Sequence, residues 1–138
     1  MSETSEAKLR FLIVENDPSL QALIELSLKQ KFKGSYICVC QNGKDALDVL
    51  ATDQDFNLII SDMLMPDMDG SRLAHMTHEN RKLRNIPILV CSALDPDKTD
   101  VLKKLPENVK GYLRKPALPK MIAEKAEEIV LSNGRTSG

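Results

Sequence analysis

Leu58-Ile59-Ile60-Ser61-Asp62-Met63-Leu64-Met65-Pro66-Asp67-Met68-Asp69-Gly70 is the stretch that decides the fold. It opens on a short apolar block, passes through a carboxylate, and is punctuated by Pro66 and then Asp69-Gly70. A continuous apolar block, rather than an alternating one, marks a strand covered on both faces, as in a parallel sheet. Similar blocks stand at Phe11-Leu12-Ile13-Val14 and Ile88-Leu89-Val90-Cys91. Two weaker segments complete the set, so strands are expected over residues 9–14, 36–40, 58–61, 86–91 and 111–114.

Helical patterns lie between them. Leu20, Leu23, Ile24 and Leu28 recur at helical spacing, with Asp17 as N-cap, Pro18 at the first helical position and Gly34 as the stop. A second helix is expected over 43–51, facing Ala46, Leu47 and Leu50 inward. A third starts at Asp69-Gly70 and carries Leu73 and Met76. A fourth, short one over 98–105 is stopped by Pro106, and a fifth over 120–131 aligns Ile122, Ala126, Ile129 and Val130. Strands alternating with helices imply an α/β fold: a doubly wound five-stranded parallel sheet with five helices on two faces.

Composition narrows the function. The 138 residues carry 19 Lys plus Arg against 20 Asp plus Glu, a net charge of −1 with no basic block, so nucleic acid is not an expected partner. No apolar run approaches the roughly 20 residues needed to span a bilayer, and the acidic, polar start has no signal-peptide pattern. Three cysteines, an odd number, argue against a disulfide framework, and a cytoplasmic protein without membrane contact is expected. One domain over 7–132 is expected, followed by a disordered tail or linker stub over 133–138, where small polar residues dominate.

Ligands of doubly wound sheets sit beyond the carboxyl ends of the strands. There the sequence places Glu15-Asn16-Asp17, Asp62, Ser92 and Lys115. In the order 2-1-3-4-5 these converge, giving oxygen ligands beside one ammonium and one hydroxyl. Repulsion between the carboxylates would be relieved by a hard divalent cation such as Mg²⁺. Asp62 could then attack phosphorus to form an aspartyl phosphate, with the metal and Lys115 neutralising the phosphoryl oxygens and Ser92 donating a hydrogen bond.

The set resembles the receiver domain of two-component response regulators, in the flavodoxin-like fold. The resemblance is carried by Phe11-Leu-Ile-Val-Glu-Asn-Asp-Pro18, Leu58-Ile-Ile-Ser-Asp62, Met65-Pro-Asp-Met-Asp-Gly70, Ile88-Leu-Val-Cys-Ser-Ala93 and Gly111-Tyr-Leu-Arg-Lys-Pro116, in order along nearly the whole chain. It implies a signalling switch, not an enzyme, that catalyses only its own phosphorylation and dephosphorylation. Asp62 would take the phosphoryl group from a histidine kinase or a histidine phosphotransfer protein. Lys115 and Ser92 would contact that group, and Tyr112 would switch its rotamer with Ser92. Mg²⁺ would be held by Glu15, Asn16, Asp62 and the backbone carbonyl of Leu64. The output surface would be the fourth helix, fifth strand and fifth helix, over 98–131, which would meet an output domain or protein, or a second copy in a homodimer.

One position departs from the family pattern, which has two acids after the first strand; here the second is Asn16. An amide oxygen still coordinates a hard cation but carries no charge, so weaker Mg²⁺ binding and slower phosphorylation are expected. Leu64 and Leu94 are apolar and cannot orient an attacking water, so slow hydrolysis is expected. The alternative is a degenerate receiver acting as a phosphorylation-independent interaction module, with Asn16 as its support. A phosphatase of the haloacid-dehalogenase type is disfavoured, because Leu64 stands where its second Asp is needed. Cys38, Cys40 and Cys91 read as packing residues, and His75 and His78 as a solvated helix face.

Overall fold

The computed structural model describes residues 8–64, 68–95, 97, 100 and 102–137. The strands are β1 (Arg10–Val14), β2 (Tyr36–Cys40), β3 (Leu58–Asp62), β4 (Ile88–Ser92) and β5 (Val109–Arg114). The helices are α1 (Pro18–Lys31), α2 (Gly43–Thr52), α3 (Gly70–His78) and α4 (Pro119–Ser137), with a 3-10 turn at Leu102–Lys104. All strands are parallel, in the order β2-β1-β3-β4-β5. This is the doubly wound α/β sheet read from the apolar blocks.

Side-chain alternation divides those blocks between two cores. Phe11 and Ile13 of β1, Leu58 and Ile60 of β3, and Leu89 and Cys91 of β4 pack with Ile24 and Leu28 of α1 and with Ile122, Ala126 and Ile129 of α4. Leu12, Val14, Ile59, Ile88 and Val90 point the other way, to Ala46 and Leu50 of α2 and Leu73 and Ala74 of α3. The central strand β3 is buried at every position, Asp62 included.

Local chemistry sets the helix starts. Pro18 occupies the first turn of α1, and the Asp17 carboxylate accepts hydrogen bonds from Ser19 N at 2.9 Å and Leu20 N at 3.4 Å. Asn42 caps α2 through Asp45 N and Asp69 caps α3 through Arg72 N, both at 2.8 Å. Gly34, at φ 81°, supplies the left-handed residue after α1.

Several expectations are corrected. Four α-helices are described, not five: over 98–105 the described residues hold only the 3-10 turn, and 98, 99 and 101 lie outside them. The last helix does not stop at 131 but runs to Ser137, through the polar residues read as a tail, because elongating a formed helix is far less costly than starting one. Leu23 and Met76 were expected on buried faces, yet they are 49% and 38% exposed. The faces of α1 and α3 that meet the sheet are narrower than the apolar spacing suggests: Ile24 and Leu28 on one, Leu73, Ala74 and Thr77 on the other. Cys40 and Cys91 are buried in opposite cores, Cys38 packs partly against the first of them, and all three thiols are free. Burial pushes Cys40 and Cys91 up to about 12, so both stay protonated packing groups. Among the described residues, no helix is long and apolar enough to cross a membrane.

Candidate functional site

Strand register aligns the site. Val14 pairs with Ser61, Asp62 with Cys91 and Ser92 with Arg114, so Glu15, Asp62, Ser92 and Lys115 emerge at one end of the sheet. The Lys115 ammonium donates to Glu15 Oε1 at 2.9 Å and to Asp62 Oδ2 at 3.1 Å. The two carboxylates are nearly enclosed, with side chains 4% and 8% exposed, while Lys115 is 22% exposed. Burial works to lower the Lys115 pKa, but the hydrogen bond it donates to Glu15 and the charges of Asp62 and Glu15 outweigh it. The ammonium is therefore held above its ordinary 10.5.

Backbone groups fix the other carboxylate oxygens. Leu64 N–H donates to Asp62 Oδ1 at 3.2 Å, and Asp17 N–H donates to Glu15 Oε2 at 3.1 Å. The main chain of Glu15 is held as well, since its N–H donates to Cys40 O at 3.0 Å and its carbonyl accepts from Gln21 Nε2. Each of the four carboxylate oxygens thus has a donor, and the pair is preorganised before anything binds.

The turn after Asp62 depends on a glycine. Gly70 N–H donates to Met63 O at 2.8 Å. A Cβ on Gly70 would overlap the Asp62 carbonyl and reach Met63 Cα at 3.0 Å, both backbone atoms that cannot swing aside. Sequence reading placed Gly70 at a helix start but missed this close approach; its only signal was the Asp69-Gly70 pair itself. It also missed the Leu64 N–H and the Gln21 side chain. Met65, Pro66 and Asp67 of the quoted motif lie outside the described residues.

Ser92 is fully buried and joins Lys115 through the backbone, its carbonyl accepting from Lys115 N at 2.7 Å. Its hydroxyl oxygen accepts from Leu94 N at 3.2 Å, while the Lys115 ammonium turns to Asp62 and Glu15. Tyr112 is half-buried, its hydroxyl donating to Ser92 O at 3.3 Å and to Leu94 O. Burial raises its pKa, so the phenol stays a donor. Asn16 is exposed, and its side chain makes no hydrogen bond among the described residues. The neighbouring Asp17 carboxylate is engaged as the helix cap.

Among the described residues no three His, Cys, Asp or Glu side chains cluster as a metal centre. The cluster itself offers the Glu15 and Asp62 carboxylates, and to these the sequence expectation adds the Asn16 amide and the Leu64 carbonyl. That all-oxygen set, with two charges, fits a hard cation that retains several waters.

A doubly wound sheet with an Asp–Lys–Glu cluster at its carboxyl ends defines a receiver-type domain. The response regulator receiver domain model matches residues 11–127, and the chain belongs to that family. A chemotaxis protein CheY homolog of Campylobacter jejuni is 26% identical over 94% of this chain and 98% of its own length. The sensor histidine kinase TmoS of Ectopseudomonas mendocina is 36% identical over 78% of this chain, which spans only 10% of that protein. A response regulator receiver domain protein from Methanospirillum hungatei superposes with a TM-score of 0.81 at 21% identity, covering 94% of this chain and 99% of that one. The signal receiver domain of a histidine kinase from Syntrophus aciditrophicus gives 0.79 at 27%, covering 89% and 90%.

Proposed function

We propose that this receiver domain is a phosphoryl-accepting switch with Asp62 as the acceptor. The observation that carries the reading is the shared ammonium: Lys115 holds Asp62 Oδ2 at 3.1 Å and Glu15 Oε1 at 2.9 Å in a nearly enclosed pocket. A phosphohistidine of a histidine kinase or a phosphotransfer protein would be the donor. The Asp62 carboxylate attacks phosphorus, an O–P bond forms, the N–P bond breaks and the imidazole leaves. Lys115, already charged, stabilises the phosphoryl oxygens without proton transfer, and the Leu64 N–H holds the carboxylate in one orientation. Mg²⁺, held by Glu15, Asn16, Asp62 and the Leu64 carbonyl, would supply further charge neutralisation.

Readout would pass through Ser92. A phosphoryl group on Asp62 offers new acceptors, and turning the Ser92 hydroxyl towards them breaks its bond from Leu94 N. Tyr112, bonded to the carbonyls on either side of Ala93, follows that movement. The surface around β5 and α4 would then change for an output partner or a second copy. Asn16, neutral and without a hydrogen bond among the described residues, favours a second reading, a module that binds partners without phosphorylation.

Amide spectra separate the two. Beryllofluoride with Mg²⁺ is expected to shift Ser92, Leu94, Tyr112 and the start of α4 in the native chain and not in Asp62→Asn. Silence at high Mg²⁺ would favour the second reading.

A further inference from the structure

Gln21, in the first turn of α1, reaches back out of the helix towards the acidic cluster. Its backbone N–H donates to Asp17 O at 2.9 Å, which anchors the residue. Its half-buried side chain donates from Nε2 to the carbonyl of Glu15, six residues earlier and ahead of the helix cap. The helix start has no need of this bond, since Asp17 already caps α1 and Pro18 stands in its first turn.

A pinned carbonyl fixes more than one atom. The peptide unit is planar, so holding the Glu15 oxygen sets the plane of the Glu15–Asn16 bond, and with it the direction in which the Asn16 side chain leaves the backbone. That direction matters at Asn16 more than at its neighbours. The Glu15 carboxylate is held on both oxygens, by Lys115 Nζ at 2.9 Å and by Asp17 N at 3.1 Å, and the Asp17 carboxylate accepts from Ser19 N. Asn16 is exposed and its side chain makes no hydrogen bond among the described residues, so its aim is set by the backbone. A neutral amide draws a hard cation less strongly than a carboxylate does, so its orientation carries more of the binding.

We propose that Gln21 is a positioning residue for the cation site, its amide fixing the Glu15–Asn16 peptide so that the Asn16 oxygen is presented to Mg²⁺. This rests on the reading of Glu15, Asn16 and Asp62 as Mg²⁺ ligands. Mg²⁺ is titrated into the isotope-labelled native chain, Gln21→Met, Asn16→Ala and the double variant, and followed by amide shifts. Met keeps the length of the side chain and a good helix preference and loses the amide. Gln21→Met is expected to weaken Mg²⁺ about fivefold, the worth of one hydrogen bond. In the metal-free spectrum it should move the Glu15 carbonyl carbon and the Asn16 amide while the rest of α1 stays native. In the Asn16→Ala chain the same substitution should change Mg²⁺ affinity less than about 1.5-fold, whereas a general loosening of α1 would weaken both backgrounds equally. Equal affinities for the native chain and Gln21→Met, or an equal loss in both backgrounds, would overturn the proposal and leave the Mg²⁺ site standing. No response of Glu15, Asp62 and Lys115 to Mg²⁺ in the native chain would overturn the site and the proposal with it.

Discussion

Replacing Lys115 with Met tests the charge balance of the site. The side chain keeps its length and loses the ammonium that Glu15 and Asp62 share at 2.9 and 3.1 Å. At an effective dielectric of ~20 the gross attraction of each pair is roughly 5 kcal/mol, most of it offset by desolvation of the three charges. Removing one partner of a buried pair costs about 3–5 kcal/mol, since the remaining charge is left unpaired. Lys115 is 22% exposed, so water softens that loss, and a destabilisation of about 2–3 kcal/mol is expected at pH 7. The Lys115 pKa is held above 10.5, so its contribution is fully present below 10.5 and is lost as pH rises through the folded value. Urea unfolding of both chains from pH 7 to above 10.5 measures this, and at pH 7 added Mg²⁺ should recover part of the loss. A variant as stable as the native chain at every pH, and indifferent to Mg²⁺, would refute the reasoning.

Gly70→Ala forces a Cβ against the Asp62 carbonyl and should cost about 2–3 kcal/mol in urea unfolding, with acceptance of phosphate at Asp62 reduced further. Asn16→Asp adds a charge to the oxygen set and is expected to tighten Mg²⁺ about tenfold by titration, roughly 1.4 kcal/mol; equal affinities would contradict it. Leu64 is 54% exposed and apolar, so Leu64→Asn, which can orient a water, should shorten the lifetime of a phosphoryl label several-fold.

The parts of the fold legible in the sequence are those where one physical cause dominates. Strands buried on both faces must be apolar throughout, so β1, β3 and β4 stand out as blocks, and their order fixes which residues share the carboxyl edge. Asp17-Pro18 and Asp69-Gly70 mark helix starts because capping is local chemistry. Glu15, Asp62 and Lys115 were placed together by topology, and their side chains meet. What stayed hidden depends on neighbours distant in the chain. Leu23 and Met76 keep helical spacing with buried residues, yet packing leaves them exposed. The close approach of Gly70 to Asp62 and the Leu64 N–H on Asp62 Oδ1 arise from the path of a turn, which residue type does not encode.

Acceptance of phosphate by Asp62 is measured most directly by intact-mass analysis after incubation with acetyl phosphate and Mg²⁺. The account predicts one added phosphoryl group on the native chain, removed by hydroxylamine as an acyl phosphate requires, and none on Asp62→Asn. An unmodified native chain at high Mg²⁺, or a phosphoryl group that persists in Asp62→Asn, would contradict it.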